Sequence, residues 1–482
     1  GSAARLDHAG AAPDGDLSAG AGKGAGLTVR GAALSSLIAA AVALGLAGCA
    51  GSRRVEEAPR PTTTTTRPPT PAPSTPGVTQ PRAGGPPPIS RAWRQARTIR
   101  VGLATANTRL LVAGSSPWTL VTLGGATVAS GGRGDRVQIS RLGGGSIEVF
   151  REGEMAPLWS GSPADTLRLV PNERGLSGWA GRWYRGTFRI HASNGDGLSL
   201  VNEVELESYL RGVLPSEIGN PPPAEYQAVK AQAVAARSYT LSYIGRRAEL
   251  GFDLWATTED QVYEGTKREN AQSDRALEET RGEVAIADGL PVRALYSSTC
   301  GGRTSNVEDV WPWPWTSYLR SVRDAGRDDS SYCARSGHYR WVESWSVAEF
   351  MELVRTYAPL EGVSPKLLEG ALIDARVRSR SRCGRVAELV VETSAGESVL
   401  RGDRIRWVLR RPGGKAILRS SFVKIGVARD AEGRPERVVV SGAGNGHGIG
   451  LCQTGALGMA RAGKAYREIL RHYYKGAGFA VM

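Results

Sequence analysis

Pro221-Pro222-Pro223 followed by AEYQAVKAQAVAARSYTLSYIGRR (residues 224–247) is where this chain changes its period. Three prolines suit the approach to a helix and its first turn but not its interior, because proline has no N–H to donate and its ring crowds the preceding turn. Good helix formers follow, with no further proline up to Arg247, so the composition predicts a helix over about 224–247. Lys230 and Arg237 lie seven residues apart, two turns along one face, with Val234 between them. The pair reads either as the solvated basic face of a buried helix or as cations that hold an anionic substrate. Just upstream, LRGVLPSE (210–217) ends in Glu217, a lone carboxylate expected at the entrance to that helix.

Further upstream the pattern is one of short strands. Thr98 to Leu103, Trp118 to Leu123, Val137 to Ile139, Ser146 to Phe150, Thr166 to Val170 and Gly186 to His191 are β-branched or aromatic and separated by Gly-rich turns such as Gly131-Gly132-Arg133-Gly134-Asp135. This region carries no catalytic cluster, and binding or spacing is its expected use. The fold class expected is therefore mixed α+β, with a β-rich accessory region over 96–182.

Downstream, ALYSSTCGG (294–302) is an apolar run ending in hydroxyls and two glycines. It reads either as a donor-rich groove wall or as a plain strand-to-turn junction. Around Asn445 and His447, glycine stands at nearly every second position from Gly442 to Gly450. Such a loop is costly to order, which points to close approach of its backbone to a ligand or to another chain segment. Two helices are predicted after it, Thr454 to Ala462 and Tyr466 to Tyr474. In the second, Tyr466, Ile469, Leu470 and Tyr473 form one apolar stripe.

At the start of the chain, Lys23 and Arg30 flank an Ala/Leu/Ile/Val run from Ala32 to Leu46, closed by Leu46-Ala47-Gly48-Cys49. A run this short falls below the roughly 20 apolar residues that span a bilayer. The order of charged, apolar and small-residue regions is that of an export signal. It resembles a bacterial lipoprotein signal (1–49) in which Cys49 is lipidated, and the alternative is a buried Ala-rich helix. The Pro/Thr-rich stretch that follows, within 50–95, lacks the large apolar residues needed to offset ordering and reads as a disordered spacer. The expected location is thus outside the cytoplasm, tethered to a membrane through the lipid on Cys49.

The formal charge of +14 comes mostly from arginines spread along the chain. No Lys/Arg block interleaved with aromatics is present, so nucleic acid is not an expected partner. A basic exported protein instead suits an anionic wall or membrane surface. Beyond Cys49 there are Cys300, Cys333, Cys383 and Cys452. Four thiols outside the cytoplasm pair in three possible ways or stay as plain buried thiols, and sequence does not choose among these. A metal reading would combine Cys300, Cys333 and His338, but no short C-x2-C pair supports zinc.

Several ordered motifs together carry a family resemblance: LESYLRGVLPSEIGNPPPAEYQAVKAQAVAARSYTLSY, QVYEG, ALYSSTCGGRTSNVEDVW, HYRW and GNGHGIGLCQTGALGMARAGKAYREILRHYY. From about Trp183 to Gly476 the chain resembles the stage II sporulation protein D / LytB family of exported cell-wall proteins, which makes 183–482 the family's domain. The resemblance implies a peptidoglycan lytic transglycosylase, cutting the β-1,4 bond between N-acetylmuramic acid and N-acetylglucosamine to leave a 1,6-anhydro end. The family's catalytic glutamate aligns with Glu217. Its groove positions fall on Lys230, Arg237, Tyr239, Tyr296, Ser298 and Thr299, and its Gly-His-Gly motif on His447 with Gln453. One carboxylate suffices in such an enzyme because the sugar's own C6 hydroxyl is the nucleophile, whereas glycosidases ordinarily use two. That role needs Glu217 protonated at working pH, with Val213, Leu214 and Ile218 as apolar neighbours that would raise its pKa. The LytB branch implies a different reading, a non-enzymatic enhancer of a wall amidase, which would make that amidase a partner. Two departures stand out. Where some members carry Cys and His zinc ligands, this chain has Leu254, Glu259 and Asp260, so no cofactor is expected there. Ser297 stands where a histidine commonly precedes the Ser-Thr pair.

Overall fold

The computed structural model describes residues 86–482, apart from 142, 144 and 415. The expected signal segment with Cys49 and most of the expected spacer lie outside the described residues. The folded part begins before the expected boundary at 96: Arg91–Gln95 forms a 3-10 turn that buries Trp93 to 2% exposure in the main core.

Strands dominate up to Glu205. One sheet runs in the order Leu254–Trp255, Thr98–Asn107, Leu198–Glu205, Thr187–Ala192, Thr166–Pro171, Trp118–Thr122, Thr127–Gly131. Its pairs are antiparallel except for the short first rung, where Val101 and Gly102 pair in parallel with Leu254 and Trp255. A second sheet runs Arg182–Tyr184, Ser177–Trp179, Arg109–Gly114, Arg136–Ser140, Ile147–Arg151, Trp159–Gly161. Alternation of buried and less buried residues, as in Arg136–Ser140 and Ile147–Arg151, faces the apolar side of each strand to one core. The accessory region is not a separate packing unit. Thr98–Asn107 pairs along Leu198–Glu205, and Ile99, Val101 and Leu103 of the one and Leu198, Leu200 and Val204 of the other belong to the hydrophobic cluster that also holds the C-terminal helices.

Helix α1 (Leu206–Ile218) follows directly, N-capped by the Glu205 carboxylate accepting from the Ser208 N–H at 2.7 Å. It is driven by Leu206, Tyr209, Leu210, Val213 and Leu214, an i, i+3, i+4, i+7, i+8 set that is buried together. Glu217 therefore sits in the last turn of α1, which Gly219 ends with φ +72°. This corrects its expected place at the entrance to the following helix.

The predicted helix is α2 (Tyr226–Ser242), preceded by a 3-10 turn over Pro223–Glu225. It is buried on nearly all sides among α1, α3 (Ala271–Glu279) and the C-terminal helices, and its alanines permit that close packing. A separate apolar cluster forms a second lobe between Trp341 and Gly442. It contains α4 (Val347–Tyr357), α5 (Arg404–Val408) and two three-stranded sheets. The chain then returns to the first core through α6 (Gln453–Arg461) and α7 (Tyr466–Tyr473), where Ile469, Leu470 and Tyr473 are fully buried and Tyr466 partly so. Among the described residues no helix is long and apolar enough to cross a membrane.

Candidate active-site groove

A groove of about 1060 Å³ opens between the first core and the second lobe. Its floor is set by a two-rung parallel ladder, Tyr296–Leu451 and Ser297–Cys452, which joins the two motifs around Ser298 and His447. The Gly-rich loop owes its composition to chain rather than ligand: a Cβ at Gly450 would stand 2.1 Å from the Leu295 carbonyl, and one at Gly448 would stand 2.0 Å from the Arg385 guanidinium.

Glu217 reaches this floor half-buried. Its Oε1 accepts from the Val262 N–H at 3.0 Å, and the Gln453 amide donates to the Glu217 backbone carbonyl at 3.0 Å, with a longer 3.5 Å approach to Oε2. Burial raises the Glu217 pKa to about 7 against the pull of the Val262 N–H, Gln453 and Tyr296. Its position in the last turn of α1, the negative end of the helix dipole, works in the same direction as burial. Every other carboxylate lining the groove has a guanidinium partner: Glu259 and Asp260 with Arg247, Asp260 also with Arg246, Glu361 with Arg404, and Asp403 with Arg406.

Of the sequence-expected residues, Glu217, Tyr239, Tyr296, Ser298, His447 and Gln453 line this groove. The Tyr296 hydroxyl accepts from Gln261 at 3.1 Å, and the Tyr239 hydroxyl donates to Asp260 at 3.4 Å. His447 lines the wall with both ring nitrogens engaged. Nε2 lies 2.9 Å from the Tyr296 carbonyl and so carries the proton, while Nδ1 accepts from the Ile449 N–H at 3.0 Å. Burial holds its pKa down to about 4, and its ring packs 4.9 Å from that of Trp311. A neutral imidazole so tied supports the floor and has no nitrogen left for a sugar hydroxyl.

Three expectations are corrected. Arg237 does not face the groove: it is 0% exposed and paired with Glu207 through two 2.7 Å bonds, with a third to the Glu283 carbonyl at 3.0 Å. Lys230 pairs with Glu279 at 3.3 Å and lies over the Tyr466 ring, and it does not line the groove. Thr299 is fully buried, bonded to Ser336 at 2.8 Å and Thr454 at 3.1 Å. Each is consumed by a neighbour within the protein. The segment that holds zinc in some relatives does not fit a metal here, because Asp260 is buried between Arg246 and Arg247 and accepts from the Trp255 N–H at 2.8 Å. Two fixed positive charges stand where a cation would need to sit.

Sequence reading missed much of the opposite wall. Trp311 and Trp313 come from VEDVWPWPW (307–315), and Arg404, Trp407 and Arg410 from RIRWVLRR (404–411). Among the described residues, the indole N–H groups of Trp311 and Trp407, the Arg410 Nε and the Ser297 hydroxyl have no hydrogen-bond partner. The clustered tryptophans were the available signal.

With this geometry in hand, comparison with known proteins places the chain. A stage II sporulation protein profile matches residues 194–286, and a domain of unknown function (DUF8618) matches 327–450, across the second lobe. The chain belongs to the stage II sporulation protein D / LytB family. It is 31% identical over 300 residues to an uncharacterized protein of Brachyspira hyodysenteriae, covering 58% of this chain and 68% of that one. It is 28% identical to the amidase enhancer of Bacillus subtilis, covering 55% of this chain and 39% of the relative. Identity to the stage II sporulation protein D of the same organism is 26%, over 57% of this chain and 74% of the relative.

Proposed function

We propose that this protein is an exported, lipid-anchored peptidoglycan lytic transglycosylase in which Glu217 is the single acid/base. The observation that carries this reading is a groove with one carboxyl free of cationic partners and raised to about 7, among carboxylates that all hold an arginine. Such a set suits a reaction needing one proton shuttle and not the two carboxylates of hydrolytic glycosidases. Protonated Glu217 donates to the glycosidic oxygen as the C1–O bond breaks. The resulting carboxylate accepts the proton of the C6 hydroxyl as O6 bonds to C1, giving the 1,6-anhydro end with no water consumed. The Val262 N–H and the Gln453 amide steady the carboxylate between the two transfers. Trp311, Trp313 and Trp407 offer apolar faces to sugar rings, and Arg410 a cation to the acidic substituents of the strand.

The test is mass spectrometry of products from purified glycan strands, with and without stem peptides. Anhydro-ended products are expected from the wild type alone and not from Glu217→Gln. Because the acid form is the active one, kcat/KM should fall about tenfold per pH unit above the Glu217 pKa; a rate that instead rises across pH 7 to 8 would remove Glu217 from the role. Trp407→Ala should weaken glycan binding by about three- to tenfold, read by titration calorimetry, with kcat nearly unchanged.

A second reading follows from the relative named as an amidase enhancer. Here the same groove would bind glycan and present it to a cell-wall amidase. Unchanged glycan binding, no product from either protein, and stimulation of an added amidase by both would favour it.

A further inference from the structure

Behind the groove floor, four side chains that the proposed reaction does not use converge in the first core. Cys300, Cys333, Cys452 and Asp324 each offer one ligand atom, these atoms lie within 4.8 Å of one another, and all four residues are buried. The Cys300 and Cys333 sulfurs are 3.7 Å apart, and Cys300 Sγ lies 3.2 Å from Asp324 Oδ2. A tetrahedron of Zn–S bonds of about 2.3 Å has edges of about 3.8 Å, and one Zn–O bond shortens its S···O edges to about 3.5 Å.

We propose that Cys300, Cys333, Cys452 and Asp324 form a closed structural zinc site. Three features beyond the ligand count support it. Asp324 is 0% exposed, and among the described residues its carboxylate has no ammonium or guanidinium partner. A buried anion so placed is costly unless a cation meets it. Second, Cys452 is the N-cap of α6: its sulfur accepts from the Cys300 N–H at 3.1 Å and the Gly455 N–H at 3.3 Å, donors that suit a thiolate. Third, the outer shell is built. The Tyr473 hydroxyl donates to Asp324 Oδ1 at 2.6 Å, and a Cβ on Gly455 would lie 2.2 Å from that hydroxyl and 2.5 Å from Asp324 Oδ1.

A disulfide between any two of the three cysteines would leave the third thiol and the Asp324 carboxylate buried beside it without a counter-charge. Three thiolates and a carboxylate around Zn²⁺ carry the same net charge as the ordinary structural site built from four thiolates, and the borderline-soft, closed four-ligand set selects zinc over magnesium or calcium. The metal would tie Cys300, two residues from Ser298, to Cys452, the neighbour of Gln453, and so fix the floor of the groove from behind. It stands independently of what the groove binds, and it is distinct from the segment that holds zinc in some relatives.

The protein should be purified from an exporting host without added reductant. Metal content is then measured by inductively coupled plasma mass spectrometry and cysteine state by non-reducing peptide mapping. About one zinc per chain is expected, with Cys300, Cys333 and Cys452 shielded from alkylation until a chelator is added. Tyr473→Phe, which keeps the ring, should lower zinc affinity by about 10–100-fold while leaving the fold intact by circular dichroism. Cys333→Ser should lose the metal, and Cys383→Ser, outside the cluster, should keep it. A chain without zinc after dialysis against the ion, or a peptide in which any two of the three cysteines are disulfide-linked, overturns the proposal.

Discussion

Glu217→Gln is expected to lower the yield of anhydro-ended products by about 10²–10⁴-fold, the range for loss of a positioned acid/base, while glycan binding is retained. The amide keeps the shape and the contact to the Val262 N–H but has no proton to give to the leaving oxygen. The same variant should be more stable than the wild type at neutral pH. Below pH 4.5 the carboxyl is protonated in both folded and unfolded chains and differs little from the amide. As pH rises from 4.5 toward 7 the unfolded chain releases its proton while the folded one, with its pKa raised to about 7, retains it. The native state is progressively penalised over that window and fully so above it. The gain in Tm of Glu217→Gln over wild type should therefore grow between pH 4.5 and 7 and then level off. A gain that is flat with pH would mean that the carboxyl is not held protonated by its surroundings.

The second large effect concerns stability. Arg237→Met should destabilise the protein by about 3–5 kcal/mol, because it strands the largely buried Glu207 carboxylate and frees the Glu283 carbonyl. The double variant Arg237→Met/Glu207→Met should recover most of that loss, since both charges then leave together. Urea denaturation of the wild type, Arg237→Met, Glu207→Met and the double variant closes the cycle. A weakened affinity for glycan with unchanged stability in Arg237→Met would return this residue to the groove.

The contrast between these two residues explains what sequence could and could not reveal. The strands before 205, α2 and the C-terminal helices were readable because each is a local pattern: alternation, helix formers after prolines, an apolar stripe. Strands such as Arg109–Gly114 and Trp159–Gly161 were missed because short segments are defined by their partners rather than by their own residues. Glu217 is expected one element too late, since Pro215 hides the end of a helix that is held by tertiary burial. Lys230 and Arg237 share a face of α2, as spacing implies, but which neighbour meets that face is set by Glu279 and Glu207 from other elements. The distant wall was hidden for the same reason: Trp407 and Arg410 lie almost two hundred residues from Glu217 and meet it only through the fold.

The chain enters and leaves the second lobe at Trp341 and Gly442, which pair with each other, and the lobe has an apolar interior of its own. Its two ends therefore lie side by side, the arrangement in which a domain can be inserted, and buried Arg385 ties it to the first core through Ser305 and the Cys300 carbonyl. One wall of the groove, from Tyr357 to Ile417, is carried on this inserted lobe. Descendants of such a chain can acquire a new wall, and with it a new choice of ligand, as long as the Arg385 contacts beneath the floor are kept.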